Sequence, residues 1–154
     1  AVAPGHLYLG CRFAWVNDRV AIAAAESCDV VSYNFYLRSI ADFRYPGPDK
    51  PLLVGEFHFG ALDRGMFHPG LVRLPDQAAR AQAYADFVNG ALAHPQFVGT
   101  HWFQWQDEPT TGRTWDEENY QIGFVDIADT PYHETVAASR DVGARLYQER
   151  LGAR

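Results

Sequence analysis

The sequence predicts an α/β protein that is built from four strand-helix units, whose strands form one parallel sheet. Short apolar segments alternate with amphipathic ones along the chain, and this alternation implies right-handed crossovers between parallel strands. The unbroken apolar run Leu52–Val54, entered through Pro51, is typical of a strand that is buried on both faces. A length of 154 residues and a hydrophobic content of 47% fit one domain with a real core, so residues 1–154 are taken as a single domain.

The first half of the chain has elements that are bounded by cap or turn signals. A Gly interrupts the first apolar run, and an Asn-Asp pair precedes the first amphipathic segment. The predicted elements are a strand over 6–13, a helix from Asn17 or Asp18 to Glu26, a strand over 28–36, and a short helix over 37–43. The second strand begins apolar and ends polar and aromatic, which places functional groups at its carboxyl end.

The second half contains the clearest helix, which is predicted to begin after the cap residue Asp76 and to end at His94 and Pro95. The other elements are a strand from Leu52 to Glu56, a strand over 97–106, and a final helix from Pro131 to Tyr147. Two long loops, 60–74 and 107–129, follow the third and fourth strands. Long loops rich in aromatic and polar groups are usually functional or mobile.

Four strand-helix units correspond to half of a (β/α)8 TIM barrel, which typically needs roughly 250 residues. A half-barrel leaves two strand edges open, and open edges recruit partners. We therefore expect a piece of a larger enzyme, a subunit that dimerises to close the barrel, or a small open sheet. The first residue is not Met, which suggests an excised piece or a mature product.

Charge and motif content exclude several function classes. The formal net charge is -6, so a phosphate backbone would be repelled and nucleic acid is not an expected partner. No apolar run is long enough to cross a bilayer, and residues 1–5 lack the order of a signal peptide. The sequence has no Gly-x-Ser-x-Gly elbow and no glycine-rich phosphate loop. We expect no cofactor, no membrane partner and no serine-hydrolase chemistry.

Glu56 is the first candidate for chemistry, because it stands at the carboxyl end of the third predicted strand. In barrels of alternating strands and helices this end carries the catalytic groups, and a charged side chain there is costly unless it is paired or used. We interpret Glu56 as the catalytic carboxylate of a sugar-cleaving enzyme. An ionised carboxylate needs donors, which Arg12, Tyr36 or His58 could supply. An aromatic content of 14% fits a sugar site, and it fits a large core equally well.

Five segments together resemble one family. They are HLYLGCRF (6–13), SYNFY (32–36), GEFHFGA (55–61), HWFQW (101–105) and ENYQIGF (118–124). In order and spacing they resemble the C-terminal half of glycoside hydrolase family 50, the β-agarases of the clan A retaining barrels. The resemblance implies that the four strands are barrel strands five to eight and that Glu56 is the nucleophile. It also implies hydrolysis of β-1,4 galactosidic bonds in agarose with retention.

A retaining enzyme needs a second carboxylate, the acid/base, roughly 5–5.5 Å from the nucleophile. The resemblance places this acid/base in an Asn-Glu pair after the fourth barrel strand, which would precede Ala1. The sequence contains no Asn-Glu pair, and Glu118-Asn119 has the reverse order. We therefore expect the chain alone to be inactive or nearly so. Asp63, Asp107 and Glu108 are conceivable substitutes, although nothing in the sequence positions them.

The resemblance also suggests sugar-binding residues. It implies that Trp102 is a platform under the sugar and that Tyr36 bonds the nucleophile, with Tyr33 as the rival tyrosine. Strand alternation puts Asn34 and Tyr36 on one face and Tyr33 on the other. The further candidates for sugar contacts are Arg12, Asn34, His58, His101, Gln104, Trp105, Trp115 and Asn119.

Other readings of the same residues remain open. His58, His68 and His101 with Asp63 match no zinc signature, so no metal is expected. A β-galactosidase-like hydrolase is the nearest enzymatic alternative. A non-catalytic half-barrel that binds carbohydrate, or pairs with itself or another half, is the alternative of another class. Because agarose is too large to enter cells, the resemblance implies a secreted or surface-held parent enzyme.

Overall fold

A computed structural model describes residues 3–152, which form a four-stranded parallel sheet with three helices. The strands are β1 (Arg12–Phe13), β2 (Val31–Asn34), β3 (Leu52–Phe57) and β4 (Phe97–Trp102), and they lie side by side in the order β1-β2-β3-β4. The helices are α1 (Asp18–Ser27), α2 (Gln77–Ala93) and α3 (His133–Gly152). Each neighbouring pair of strands is parallel, which confirms the predicted class and strand direction.

The helix caps follow from the sequence. The Asn17 side chain accepts a hydrogen bond from the Val20 amide at 3.1 Å, so Asn17 and not Asp18 caps α1. Asp76 caps α2 in the same way, accepting from the Ala79 amide at 2.8 Å. In both cases a side-chain oxygen satisfies an amide that has no partner inside the helix.

The predicted helix over 37–43 is wrong, since this segment forms turns without regular helical hydrogen bonds. Its backbone bond from the Phe43 amide to the Ile40 carbonyl closes a single turn. Ile40 is buried and Phe43 packs against the same core, so side-chain burial sets the path of these few residues. A segment this short does not repay the cost of nucleating a helix. The crossover between β2 and β3 therefore contains no helix.

Three predicted strands are too long, and the second of them covers Val31–Asn34 instead of 28–36. The first was expected over 6–13, but ladder pairing is limited to Arg12 and Phe13. Gly10 has a φ of 61°, a left-handed conformation that interrupts an extended strand, and Leu7 and Tyr8 before it are exposed. The fourth strand ends at Trp102 and not at 106.

The core lies between the sheet and α2. The Phe57 ring stacks on Phe87 with centroids 4.3 Å apart, and Leu52, Val54 and Phe59 are fully buried around them. Helix α3 packs against the outer side of α2. Helices thus cover one face of the sheet. A register irregularity between Val54 and Phe57 turns Glu56 to the other face, where the candidate site lies.

Candidate active site

Glu56 is held by two donors at the carboxyl end of β3. One carboxylate oxygen lies 2.6 Å from the Arg12 guanidinium, and the other accepts a hydrogen bond from the Tyr36 hydroxyl at 2.5 Å. The register between β2 and β3 shifts at this point, so that Glu56 pairs with Asn34. An irregularity of this kind changes the direction in which a side chain points. The Glu56 side chain keeps 12% of its surface exposed and can be reached from the cleft.

Both oxygens of the Glu56 carboxylate have a donor, and charge-assisted hydrogen bonds of this kind are shorter and stronger than neutral ones. Burial raises the pKa of Tyr36, and the hydrogen bond to Glu56 raises it further. The Tyr36 hydroxyl therefore stays protonated at neutral pH and remains a donor to Glu56. Arg12 is 57% exposed, so water screens part of its attraction.

A cleft of about 300 Å³ opens beside the carboxylate. Its volume is at the lower end of the range for ligand sites. The walls come from strand ends and from the loops that follow β3 and β4. The lining residues are Ala14, Trp15, Asn34, Tyr36, Glu56, His58, Leu71, Phe103, Arg113, Glu118 and Tyr120.

His58 lines the cleft but is only 2% exposed. Its Nε2 accepts a hydrogen bond from the Leu71 amide at 2.9 Å, and its ring lies 4.7 Å from the Tyr36 ring. Burial lowers the pKa of His58 to about 3, and the nearby Arg80 charge adds to this effect. The ring is therefore neutral at ordinary pH and supports Tyr36, whereas Glu56 takes its donors from Arg12 and Tyr36.

The structure places Trp102 in the aromatic core and not at the cleft. Its indole N–H donates to the Ile122 carbonyl at 2.8 Å, and its ring meets Phe57 edge-on at 5.0 Å. Alternation along β4 pairs Trp102 with Phe57, which faces the helices, and turns Phe103 toward the cleft. Trp102 therefore does not line the cleft in which it was predicted to support the sugar, whereas Phe103 does. Tyr33 is likewise buried in the core, which leaves Tyr36 as the partner of Glu56.

Several other predicted sugar contacts lie away from the cleft. His101 is exposed on β4, Trp105 is 69% exposed beside Phe124, and Gln104 borders a separate cleft with Gln106. The residues that the structure does not bring to Glu56 are His101, Gln104, Trp105, Trp115 and Asn119. Those that it does bring to the cleft or to Glu56 are Arg12, Asn34, Tyr36 and His58.

The three carboxylates that could conceivably replace the acid/base, Asp63, Asp107 and Glu108, bind other parts of the chain. Asp107 is buried and accepts from the Ile122 and Gly123 amides at 2.8 and 2.7 Å. Glu108 has no exposed surface, and it accepts from the Tyr120 amide at 2.8 Å. Asp63 accepts from the Gln77 amide at 3.1 Å, at the start of α2. Each of these carboxylates thus accepts hydrogen bonds from backbone amides, and none of them lines the cleft.

Sequence reasoning missed Arg113 and Glu118, which the loop 107–129 brings to the cleft. The Arg113 guanidinium pairs with Glu118 at 2.5 Å, with Asp116 at 2.5 Å and with Glu108 at 3.2 Å. The cleft therefore contains a second carboxylate, Glu118, which shares Arg113 with Asp116 and Glu108. An arginine followed within five positions by three acidic residues was the only sequence signal of this cluster.

A buried arginine connects the elements that carry the site. Arg80 on α2 has no exposed surface, and its guanidinium donates to the Phe59 carbonyl at 2.7 Å and to the Gly123 carbonyl at 2.6 Å. A third bond joins it to Gln77 at 3.1 Å. Burial lowers the pKa of Arg80 to about 10, so the side chain is still charged at neutral pH. Arg80 thus fixes the loop 107–129 and the end of β3 to the same helix.

Residues 3–152 contain neither a metal-binding cluster nor a helix that could span a membrane. In this range no three metal-binding side chains come together in a cluster. None of the helices there combines the length and the apolar character that crossing a bilayer requires.

The fold and the site together define an α/β domain with a carboxylate-containing cleft at the carboxyl end of a parallel sheet. A solved structure described as an exo-beta-agarase superposes with a TM-score of 0.89 at 48% identity, covering 97% of this chain and 21% of that one. The structure of PfGH50B gives a TM-score of 0.87 at 39% identity, covering 96% of this chain and 22% of that one. Both superpositions include nearly all of the described chain.

Curated sequences give the same result. Beta-agarase B of Vibrio sp. (strain JT0107) is 48% identical over 155 residues, covering 97% of this chain and 16% of its own length. Beta-agarase A of the same strain is 46% identical over 157 residues, with 96% and 16% covered. No family model matches the chain. The chain is thus homologous to a segment of beta-agarases and spans 16% of their length. The matches to the beta-agarases and to PfGH50B fit the resemblance to glycoside hydrolase family 50 that the five motifs carry.

Proposed function

We propose that this chain carries the catalytic nucleophile of an agarose-degrading, retaining glycoside hydrolase. The observation that supports this most strongly is the Glu56 carboxylate, held by Arg12 and Tyr36 at the open end of a parallel sheet. The names of the relatives, beta-agarase A and B, support a polysaccharide substrate. We assign agarose, cleaved at its β-1,4 galactosidic bonds, as that substrate.

In the proposed reaction a Glu56 oxygen attacks the anomeric carbon as the bond to the leaving oxygen breaks. A carboxylic acid supplies the proton that the leaving oxygen needs, and a covalent glycosyl-enzyme forms. Water then attacks the same carbon and gives its proton to the second carboxylate. The bond to Glu56 breaks, and the sugar is released with its original anomeric configuration. Arg12 and Tyr36 orient the carboxylate between the two steps.

The acid/base is proposed to come from an N-terminal half-barrel, on the same polypeptide or on another. Glu118 is not free to act as this acid, because its carboxylate is bound to the Arg113 guanidinium at 2.5 Å. The sheet ends in two edge strands, β1 and β4, and the unpaired backbone groups of such edges support the docking of a further half-barrel. A second copy of this chain is the alternative occupant.

The cleft also suits a sugar chain. The side chains of Trp15, Tyr36, Phe103 and Tyr120 line it and present aromatic rings, which combine large contact area with polar handles. A polymer of this size has to be degraded outside the cell, so the parent enzyme is proposed to be secreted or surface-held.

The proposal is tested by measuring sugar release from agarose. The chain is assayed alone and together with the N-terminal part of the exo-beta-agarase relative, with and without Glu56→Gln. We expect little activity alone, clear activity in the complemented pair, and a loss of at least about 10³-fold with Glu56→Gln. Glu118→Gln serves as the control carboxylate, and its loss is expected to be much smaller. Complemented activity that survives Glu56→Gln would show that the nucleophile is misassigned.

The second candidate is a half-barrel that binds carbohydrate without cleaving it. The observation in its favour is that the cleft holds one carboxylate suited to attack and no suitable acid. Retention of the chain on agarose, combined with the absence of product after complementation, would favour this function. A substrate panel separates the enzymatic alternative, since hydrolysis of simple β-galactosides but not agarose would indicate a β-galactosidase-like enzyme.

A further inference from the structure

His58 lies directly behind the pair formed by Tyr36 and Glu56. Its ring contacts the Tyr36 ring at 4.7 Å with the planes tilted by 49°, and the Tyr36 hydroxyl donates to Glu56 at 2.5 Å. The Phe103 and Tyr120 rings are also near, with centroids 6.3 and 6.1 Å away. His58 is therefore packed among the rings that form the cleft wall without itself touching the carboxylate.

The loop 60–74 holds His58 from behind. The Leu71 amide donates to His58 Nε2 at 2.9 Å, and the Gly70 amide donates to His68 Nδ1 at 3.1 Å. Gly70 has a φ of 70°, and a Cβ atom at this position would lie 2.6 Å from His58 Nε2. Only glycine allows the backbone to approach the ring this closely. The backbone of the loop 60–74 therefore packs directly against the His58 imidazole.

These contacts determine which nitrogen of the neutral His58 ring carries the proton. Because Nε2 accepts a hydrogen bond, its lone pair is occupied and the ring proton of the neutral form sits on Nδ1. Nδ1 is buried and has no hydrogen-bond partner, although the Phe103 carbonyl lies on its side of the ring. The one acceptor nitrogen is used by the loop, so it is not free to bind a sugar hydroxyl.

We propose that His58 is a positioning residue through which the loop 60–74 sets the orientation of Tyr36 toward Glu56. The Leu71 amide prevents the imidazole from rotating, and the fixed imidazole supports the Tyr36 ring. The hydroxyl of Tyr36 then stays directed at the carboxylate. This inference rests on the proposed role of Glu56 for its catalytic meaning, while the contacts from Leu71 to Glu56 can be tested without any activity.

Two substitutions separate hydrogen bonding from space filling. His58→Gln keeps an acceptor near the Nε2 position, whereas His58→Phe keeps a ring of similar size but has no acceptor. His94→Phe is the matched control, because His94 is also buried, accepts from the Gln96 amide at 3.2 Å and packs on Phe97 at 4.8 Å, away from the cleft. All three variants remove one buried imidazole.

The first measurement is amide hydrogen exchange of Leu71 in the 154-residue chain, corrected for the global stability of each variant. We expect His58→Phe to speed exchange at Leu71 by about tenfold or more, since one hydrogen bond is lost. His58→Gln is expected to stay within about threefold of the unmodified chain, and His94→Phe to leave the corrected rate unchanged. Nitrogen NMR shifts of His58 are expected to show a protonated Nδ1 and an unprotonated Nε2.

The second measurement is kcat and KM of the complemented enzyme on agarose. His58→Phe is expected to lower kcat by about tenfold with KM nearly unchanged, and His58→Gln to restore most of it. Equal losses in the two His58 variants, or an unchanged Leu71 exchange rate in His58→Phe, would overturn the positioning role. Activity that survives Glu56→Gln would instead disprove the proposed function. The positioning role of His58 would then be judged by the Leu71 exchange rate alone.

Discussion

The charged groups of Arg80 and Glu56 have opposite surroundings, since the Arg80 guanidinium is buried and the Glu56 carboxylate is partly exposed. Arg80 has no exposed surface, and it donates to two backbone carbonyls and to Gln77. Glu56 is partly exposed, and beside it the polar atoms Ser32 Oγ, Asn34 Oδ1 and His58 Nδ1 are buried without partners. The buried charge of the scaffold is thus enclosed by its own partners, whereas the carboxylate of the site keeps surface that a ligand can reach.

The difference follows from what each region has to do. A buried charge is tolerated when it is paired and hydrogen-bonded, and Arg80 also lies 5.4 and 5.1 Å from the ring centres of Trp102 and Tyr132. Glu56 is instead held by Arg12 and Tyr36 and keeps part of its side chain exposed at the cleft, where a ligand can reach it. Stability and function are therefore expected to respond to different substitutions.

The largest effect on stability is expected from Arg80→Met. The change removes a buried cation and leaves the Phe59 and Gly123 carbonyls without their donor, so unfolding should become easier by about 3–5 kcal/mol. Urea denaturation measures this loss. Gln82→Met, at an exposed position of the same helix, should change stability by less than about 0.5 kcal/mol. Equal effects of the two substitutions would mean that the Arg80 network does not hold the scaffold together.

The next effect is a pH dependence that originates at His58. Its pKa in the folded chain is about 3, below the ordinary value of 6.5, so the unfolded chain binds more protons between these values. Stability is therefore full above pH 6.5 and falls as the pH is lowered, by about 2–3 kcal/mol between pH 7 and pH 4.5. Denaturation at several pH values tests this, with His58→Gln as the comparison. The same slope in that variant would assign the effect to other groups.

A smaller effect, confined to activity, is expected from Tyr36→Phe. The substitution removes a hydrogen bond to a charged carboxylate, so kcat of the complemented enzyme should fall by about 10–100-fold. Stability should change little because the ring remains. Tyr33→Phe is the control, since Tyr33 is buried in the core and does not reach Glu56. If Tyr33→Phe were the more damaging change, the choice between the two tyrosines would be reversed.

The smallest effect is expected from Arg145→Ala on α3. Arg145 pairs with Glu149, but both side chains are well exposed. Exposed ion pairs contribute little, so stability should change by less than about 0.5 kcal/mol and activity not at all. Thermal denaturation measures the difference. A loss as large as that of Arg80→Met would contradict the distinction between buried and exposed charge.

The sequence predicted what local patterns determine. The cap Asp76 and the helical spacing of Tyr84, Phe87 and Val88 identify α2, and the apolar run before Glu56 identifies β3 and its carboxylate. These signals act within one element, so they do not depend on how the chain is packed.

Other features required the tertiary structure. Whether Trp102 or Phe103 faces the cleft depends on the register between β3 and β4, which shifts between Val54 and Phe57. Arg80 belongs to a residue type that is normally exposed, and only the folded chain brings carbonyls to it. The pairing of Arg113 with Glu118 depends in the same way on the folding of a long loop.

The central claim, that Glu56 attacks the anomeric carbon, is tested most directly by covalent labelling. A dinitrophenyl 2-deoxy-2-fluoro-β-galactoside carries a leaving group that departs without acid assistance, and its fluorine slows hydrolysis of the glycosyl-enzyme. We predict that the complemented enzyme gains the mass of one fluorosugar, that peptide mapping locates it on Glu56, and that Glu56→Gln stays unlabelled. A sugar attached to Glu118 or to any other residue, with Glu56 unmodified, would contradict the account.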